Sequence, residues 1–380
     1  MGTLEFTVNL LQELIGFNTE NPPGNELPLA EHIVSILRAL GAESRVEPVG
    51  KGRANVIAHI KGRGDGKSLL LNGHLDVVPA DGNWSSEPFQ ARINDGKVYG
   101  RGSSDMKGAI ACMIGAVKEY LDQGRTLAGD LYLLFSADEE CDNIGTKAFL
   151  SNTPHIDYAI IGEPTMLGLC IGHRGVSRHR ITVNGKSCHA GNPQEGVNAV
   201  EKMAKIVAEI TKLNQNLNST ACAGFPAPSI VVSTVRGGNK HNIIPDVCEI
   251  VTDRRTIPGE TSQSTMEELE DILKTILSTD PSFSYRIEPI IYLASSNIDL
   301  GDELVELVRR SHHKAFQKEI KVSHFNACCE QGLFMDKGIK TVICGPGDIK
   351  QAHTVDEFIE ISQINKAIIL YKNILEELFG

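Results

Sequence analysis

The sequence has no run of basic residues and no apolar stretch long enough to cross a bilayer. Its 380 residues carry 37 lysines and arginines against 48 aspartates and glutamates, which gives a net charge of −11 at pH 7. A chain with this charge is repelled by the phosphates of nucleic acids and by anionic lipid headgroups. We therefore expect neither a nucleic acid nor a membrane among its partners.

The cysteines lack the spacings that mark zinc ribbons and redox pairs. Nine cysteines, an odd number, are scattered without a CxxC, and only Cys328 and Cys329 are neighbours. The first twenty residues have no basic residue before their apolar stretch, so we expect an amphipathic helix, with Leu4 and Val8 on its apolar side, and not a signal peptide. Together these features predict a cytoplasmic protein with reduced thiols. A nucleophilic or redox role for Cys328 and Cys329 is an alternative that no partner motif supports.

The chain does contain a regular alternation of strands and helices. Strand-like "NVIAHI" and "SLLLNGH" precede helical "GAIACMIGAVKEYL", and strand-like "DLYLLFSADEE" and "YAIIGEP" follow. This order predicts an α/β fold with a mostly parallel sheet sandwiched by helices. Residues 177–290 instead have the order βαββαβ, which predicts a small α+β domain. We therefore expect one domain of residues 1–176 and 291–380 into which residues 177–290 are inserted.

Imidazole and carboxylate groups follow several of the predicted strands. In an open α/β sheet, ligands bind outside the carboxyl ends of the strands, and these groups come from separate strands. They are His74 and Asp76 after "LLLNG", Asp105 in "GRGSSDMKG", Glu139 and Glu140 after "LYLLFSAD", Glu163 in "AIIGEP", and His353 in "GPGDIKQAHTVDE". Each one alone is more often a solvated surface group, but the whole set favours a metal centre, because clustered carboxylates without a cation would repel one another.

The numbers and types of these ligands fit two divalent ions. Two imidazoles (His74, His353) and three carboxylates (Asp105, Glu140, Glu163) complete two four-coordinate sites if one carboxylate and one water molecule are shared. Such a shared water becomes a hydroxide-like nucleophile near neutral pH.

Two further carboxylates have predicted roles beside the ligands. Asp76, two residues after His74, can accept the second ring N–H of that histidine and fix its tautomer. Glu139, adjacent to a ligand, suits a general base that acts on the shared water.

Eight segments together resemble the dinuclear-zinc deacylase and carboxypeptidase family, which includes acetylornithine deacetylase, succinyl-diaminopimelate desuccinylase, aminoacylase and glutamate carboxypeptidase. They occur in order over nearly the whole chain: "NGHLDVVPA", "GRGSSDMKGA", "ADEE", "GEPT", "CHAGNP", "NIIPD", "DRRTIPGE" and "GPGDIKQAHTVDE". The resemblance implies that residues 1–176 and 291–380 form the catalytic metal-binding domain and residues 177–290 a lid and dimerisation domain. It also implies a homodimer.

The resemblance also assigns metal ligands. One ion would be held by His74, Asp105 and Glu163, and the other by Asp105, Glu140 and His353. Asp105 would bridge the two ions, and its peptide bond to Met106 would be cis. Zinc is the expected metal, with cobalt and manganese as alternatives.

The resemblance further assigns catalytic and substrate-binding residues. Glu139 would be the general base and Asp76 the residue that orients a ligand. His189 would reach across a dimer to the oxyanion. The substrate would be contacted by Asn242, by Arg255 (chosen over Arg254 by its spacing from Asp253) and by Gly345 in the loop before the last metal ligand.

The segment "HFNACCEQGLF" departs from the Thr-Asp-Gly pattern of some peptidase branches and is more similar to acetylornithine deacetylase. Glu330 in this segment is a candidate contact for a basic substrate side chain. The resemblance thus implies a hydrolase that removes a small acyl group from an N-acyl amino acid by attack of a metal-bridging hydroxide. A desuccinylase and a metallo-dipeptidase or carboxypeptidase are the alternatives within the family. A catalytically inactive binding protein is the alternative outside it, although none of the expected ligands is missing.

Overall fold

The computed structural model describes residues 1–219 and 225–380, so Cys222 lies outside the described residues. The chain divides into two compact units. Unit 1 consists of Met1–Gly172, Ile298–Phe325 and Cys329–Gly380, and unit 2 of His173–Asn297 and Asn326–Cys328. The roles assigned from the sequence to residues 1–176 with 291–380 and to residues 177–290 stay predictions.

Helices and strands alternate along the described residues. The helices are α1 (Thr3–Ile15), α2 (Leu27–Ala39), α3 (Lys107–Asp122), α4 (Ile144–Ser151), α5 (Ala199–Asn218), α6 (Ser262–Thr279), α7 (Glu303–Phe316), α8 (Gln331–Asp336) and α9 (Ile361–Phe379). The strands are β1 (Glu43–Gly50), β2 (Arg53–Ile60), β3 (Leu69–His74), β4 (Arg92–Asn94), β5 (Lys97–Tyr99), β6 (Leu131–Ser136), β7 (Tyr158–Pro164), β8 (Leu169–His173), β9 (Gly175–Asn184), β10 (Cys188–His189), β11 (Ser229–Gly237), β12 (Ile243–Ile244), β13 (Val247–Thr256), β14 (Ser284–Leu293), β15 (Ser296–Asn297), β16 (Val322–Phe325), β17 (Lys340–Gly345) and β18 (Phe358–Glu360).

The large sheet of unit 1 follows the order β1-β2-β6-β3-β7-β17-β8. Its central strands β6, β3, β7 and β17 are parallel, whereas β1, β2 and β8 pair antiparallel toward the edges. All residues of β3 are buried, as is typical of a parallel strand with helices on both faces. The predicted α/β fold with a mostly parallel sheet flanked by helices is therefore confirmed.

Unit 2 contains an antiparallel sheet in the order β11-β13-β9-β14. One face is covered by α5 and α6, which pack on alternate apolar residues such as Ile181, Val183 and Ile250. The intervening residues of β9, among them Arg178 and Arg180, lie on the other face, where period-two alternation puts them. The order of elements is the βαββαβ arrangement expected from the sequence, with the short β10 and β12 added.

No helix among the described residues is both long enough and apolar enough to cross a bilayer. The cytoplasmic location remains a prediction.

Candidate metal centre

His74 ends the buried strand β3, and the main chain orients its imidazole. Its Nδ1 atom lies 2.9 Å from the main-chain oxygen of Asp76. Because a carbonyl oxygen only accepts hydrogen bonds, Nδ1 carries a proton and Nε2 is the atom available to a metal ion. Nε2 lies 3.1 Å from Asp105 Oδ1 and 3.8 Å from Glu163 Oε1.

Asp105 lies between two imidazoles that come from distant parts of the chain. Its Oδ1 atom is the one close to His74, and its Oδ2 atom lies 3.5 Å from His353 Nε2. The Asp105–Met106 peptide bond is cis, as the family resemblance implied. A carboxylate with each oxygen facing a different imidazole has the position that a bridging ligand requires.

His353 completes the second half of the centre. Its Nε2 atom lies 3.2 Å from Glu140 Oε1, and just over half of its side-chain surface is exposed. By contrast, His74, Asp105 and Glu163 are almost fully buried. One side of the centre is therefore deep in unit 1, and the side at His353 is accessible.

Glu139 belongs to the same cluster. Ligand atoms of His74, Glu139 and Glu163 lie within 4.8 Å of one another, and so do those of His74, Asp105 and Glu140. The geometry by itself thus allows Glu139 to be either a ligand or a base.

The electrostatics of the cluster favour bound cations. Burial raises the pKa of Glu139, Glu140 and Glu163, and neighbouring carboxylates raise it further. Burial lowers the pKa of His74, but the hydrogen bond and charge of Asp105 outweigh this and raise it well above its usual value. Divalent ions would replace the proton on His74 Nε2 and balance the carboxylates. Imidazole nitrogen and carboxylate oxygen are donors that suit zinc, cobalt and manganese, so the residues present fit the expected ions.

The Asp76 side chain does not make the expected hydrogen bond with His74 in this structure, and its role in orienting that ligand stays a prediction. Its Oδ1 atom lies 3.7 Å from His74 Nδ1, beyond hydrogen-bond distance, and the main-chain oxygen of Asp76 fixes the imidazole instead. The Asp76 carboxylate accepts the main-chain N–H groups of Glu139 at 3.0 Å and Glu140 at 3.1 Å. It therefore positions the segment that carries the candidate base and a ligand.

A buried polar network behind Asp76 was not anticipated from the sequence. Asn21 donates from Nδ2 to Asp76 Oδ2 at 2.8 Å and to Asp138 Oδ1 at 2.9 Å. Arg53 donates to Asp138 at 2.7 Å and to Glu26 at 2.7 Å. In the sequence, Asn21 and Glu26 belong to the polar segment "NPPGNE". Its composition is typical of a surface turn and did not indicate a buried network. In the structure, Asn21 and Glu26 instead take part in the hydrogen bonds that hold Asp76 and Asp138.

Glu330, the candidate contact for a basic substrate side chain, is buried. Its side chain is fully buried in unit 1, where Oε1 accepts hydrogen bonds from Ser136 Oγ at 2.9 Å and Thr146 Oγ1 at 3.4 Å. In this structure the carboxylate has no exposed surface, and its contact with a substrate side chain stays a prediction.

Gly345 ends β17 at a very close approach to β7. A Cβ atom on Gly345 would lie 2.0 Å from the main-chain oxygen of Gly162, which only glycine avoids. Its own main-chain oxygen accepts the N–H groups of Thr165 and Leu167. The glycine is thus required for packing, and its contact with a substrate stays a prediction.

His189 and Asn242 lie together in unit 2. β10 pairs with β12, so that His189 is opposite Ile243, and the N–H of Ala190 donates to the main-chain oxygen of Asn242 at 3.0 Å. Both side chains are exposed. Their action on a substrate stays a prediction.

Arg255, also in unit 2, lies on β13 and is about a third exposed, with Nε 2.8 Å from Asp253 Oδ1. The adjacent Arg254 is fully buried and paired with Glu260 and Glu268. Of the two arginines, Arg255 is therefore the one accessible to a substrate carboxylate.

Comparisons with known proteins agree with this description of the fold and the cluster. Residues 70–377 match the profile of peptidase family M20/M25/M40. An acetylornithine deacetylase of Aliivibrio salmonicida (strain LFI1238) is 34% identical over 350 residues, which is 89% of this chain and 87% of that protein.

Two solved structures share the fold. The aminopeptidase PepT from Bacillus cereus ATCC 10987 has a TM-score of 0.83 at 19% identity, with 99% of this chain and 98% of that chain covered. The M20 family metallo-carboxypeptidase Sso-CP2 from Sulfolobus solfataricus has a TM-score of 0.81 at 22% identity, with 98% of each chain covered. The interpretation of the chain as a metal-dependent amide hydrolase is confirmed. From the sequence match over most of its length, we conclude that the chain belongs to peptidase family M20/M25/M40.

Proposed function

We propose that the chain is a dinuclear enzyme that removes an acetyl group from an N-acetyl amino acid, with N-acetylornithine as the substrate. The observation that supports the dinuclear centre most directly is the position of Asp105, whose Oδ1 faces His74 and whose Oδ2 faces His353. In this proposal His74, Asp105 and Glu163 hold one ion, and Asp105, Glu140 and His353 hold the other. Zinc is the proposed metal, with cobalt and manganese as alternatives.

The ions and the protein have separate tasks. Bound at these residues, divalent ions would lower the pKa of a water molecule and polarise a substrate carbonyl. Glu139 takes a proton from the attacking water on its carboxylate and passes it to the departing amine nitrogen. Burial raises the pKa of Glu139, the direction that favours proton uptake by a general base.

The proposed substrate follows from the relatives and from two residues of unit 2. Proteins named acetylornithine deacetylase that match this chain support an acetyl group on a small amino acid. The Arg255 guanidinium is proposed to bind the α-carboxylate of the substrate and Asn242 its carbonyl, while the main chain at Gly345 lines the site. In this assignment, the residues that bind the substrate are different from those that bind the metal ions.

A substrate panel tests this proposal. Purified protein supplemented with zinc or cobalt is assayed for amine release from N-acetylornithine, N-succinyl-diaminopimelate and a set of dipeptides. We expect kcat/KM for N-acetylornithine to exceed that of the others by about 100-fold, because unmatched polar groups in a binding site are strongly disfavoured. Preference for the succinyl substrate or a dipeptide would contradict the assignment. Failure to hydrolyse any of them when fully loaded with metal would favour an inactive binding protein.

The proposed assembly is a two-fold homodimer formed through unit 2. Strand β11 lies at the edge of its sheet, and its Val231 and Val235 are 51% and 67% exposed. An open strand edge with exposed valines favours pairing with the same edge of a second copy.

His189 is proposed to act on the site of the partner subunit. Its Nδ1 atom accepts the N–H of Gly191 at 3.0 Å, so Nε2 carries the proton of the neutral ring. That N–H can stabilise the negative charge that develops on the substrate oxygen.

Mixing two inactive variants tests this assignment. In a heterodimer of a His189→Ala chain and a Glu139→Gln chain, one of the two sites has both a native Glu139 and a native His189 from its partner. Random exchange of equal amounts should therefore restore about a quarter of the wild-type rate. The control replaces one chain by the double variant, which should restore nothing. No recovery despite confirmed subunit exchange would assign His189 to its own chain or to no catalytic role.

A further inference from the structure

Glu357 is fully buried, and its carboxylate accepts hydrogen bonds from the short segment 101–105. Its Oε1 atom accepts the main-chain N–H groups of Ser104 at 2.8 Å and Asp105 at 3.0 Å. Its Oε2 atom accepts the N–H of Gly102 at 2.9 Å and Nη1 of Arg101 at 2.9 Å. Four donors converge on two oxygens, as in a main-chain anion-binding nest, and here the anion is a side chain of the same protein.

The ionised form of Glu357 is the one that this geometry requires. Each carboxylate oxygen faces two donors, so a proton on either oxygen would face N–H groups. The main-chain oxygen of Glu357 also accepts the N–H of Gly100 at 2.9 Å, so the loop before α3 is held at both ends.

Arg101 connects the loop of Asp105 to the segments that follow His353 and His74. Its Nη1 atom also donates to the main-chain oxygen of Thr354 at 3.1 Å, and its Nη2 atom donates to that of Pro79 at 3.2 Å. Thr354 directly follows His353, and Pro79 lies in the segment after β3. Arg101 and Glu357 thus join the loop of Asp105 to the segment of His353.

The two halves of the metal centre are supported differently. His74 and Glu163 lie on β3 and β7, which are hydrogen-bonded neighbours in the central sheet. His353 lies outside the helices and strands, has a positive φ of 62° and is more than half exposed. Its position depends more on connections such as those of Arg101 and Glu357 than on the sheet.

We propose that Glu357 is a positioning residue that fixes Asp105 relative to His353 and thereby forms the metal site of Glu140 and His353. The inference rests on the proposed dinuclear centre. It predicts that loss of the Glu357 charge weakens this site and leaves the site of His74 and Glu163 largely intact. A role in general stability would weaken both sites alike.

Calorimetric titration of metal-free protein with zinc tests the proposal. Glu357→Gln keeps the shape of the side chain but turns one acceptor into a donor that faces N–H groups. We expect the wild type to bind two ions, and Glu357→Gln to bind the first with little change and the second at least about tenfold more weakly. Glu357→Asp, which restores the charge on a shorter side chain, should recover part of this loss. Glu360→Gln is the matched control, because Glu360 is an exposed carboxylate nearby and should leave both affinities unchanged.

Each outcome of the titration has a separate meaning. Equal affinities for both ions in wild type and Glu357→Gln, or an equal loss at both sites, would overturn the role of Glu357. A wild type that binds fewer than two ions would instead overturn the dinuclear centre itself. Circular dichroism checks that the variants fold, and if Glu357→Gln does not, Glu357→Asp decides by the same comparison of the two affinities.

Discussion

Removing the metal ions with a chelator is expected to abolish turnover and to lower the temperature of thermal unfolding. Without cations, the buried carboxylates of Glu139, Glu140 and Glu163 are protonated or repel one another, as their raised pKa values indicate. A ligand that binds only the folded state at about a thousand times its dissociation constant adds about 4 kcal/mol to the free energy of unfolding. The loss of stability should therefore be large and reversible.

The measurement combines activity with thermal unfolding before and after chelation, followed by addition of zinc, cobalt or manganese. The ion that restores the highest activity at the lowest concentration identifies the best cofactor. Elemental analysis should give two ions per chain after reloading. Full activity in protein shown to contain no metal, or no metal uptake by folded protein, would contradict the metal centre.

Replacing Glu139 by glutamine is expected to reduce kcat by about 100-fold or more while the protein still binds two ions. The amide keeps the size of the side chain but cannot accept a proton from the attacking water. Because Asp76 holds the main-chain N–H of Glu139, the substitution should leave the local backbone unchanged.

Metal content and kcat measured on the same samples separate a base from a ligand. Glu140→Gln should reduce metal binding as well as activity, whereas Glu139→Gln should reduce activity alone. Asp142→Asn is the matched control, since Asp142 is an exposed carboxylate close by in sequence and its loss should change neither quantity. Retention of full activity by Glu139→Gln would rule out the base assignment, and loss of an ion would make Glu139 a ligand.

The sequence was sufficient to predict the fold class. The buried strand β3 and the helix α3 follow from runs and periodicities of apolar residues, because local hydrogen bonding and burial on one or two faces impose those patterns. It also indicated which residue types could bind metal, since His74 and Glu163 lie at the ends of recognisable strands. Both predictions use only the order of the elements along the chain and the chemistry of the side chains, which the sequence gives directly.

Only the tertiary structure shows which side chains form hydrogen bonds with segments far away in the sequence. Asp76 was singled out as a partner of His74, but its carboxylate accepts main-chain N–H groups, which have no sequence signature. Glu330 was a candidate contact for a substrate side chain and is buried against Ser136, because its exposure depends on segments far from it in the sequence. Glu357 ends the recognised segment "GPGDIKQAHTVDE", but nothing in that segment indicated that its carboxylate accepts hydrogen bonds from the loop of Asp105. Residue type and periodicity therefore predicted which groups could act, whereas hydrogen bonds between distant segments determined which of them meet.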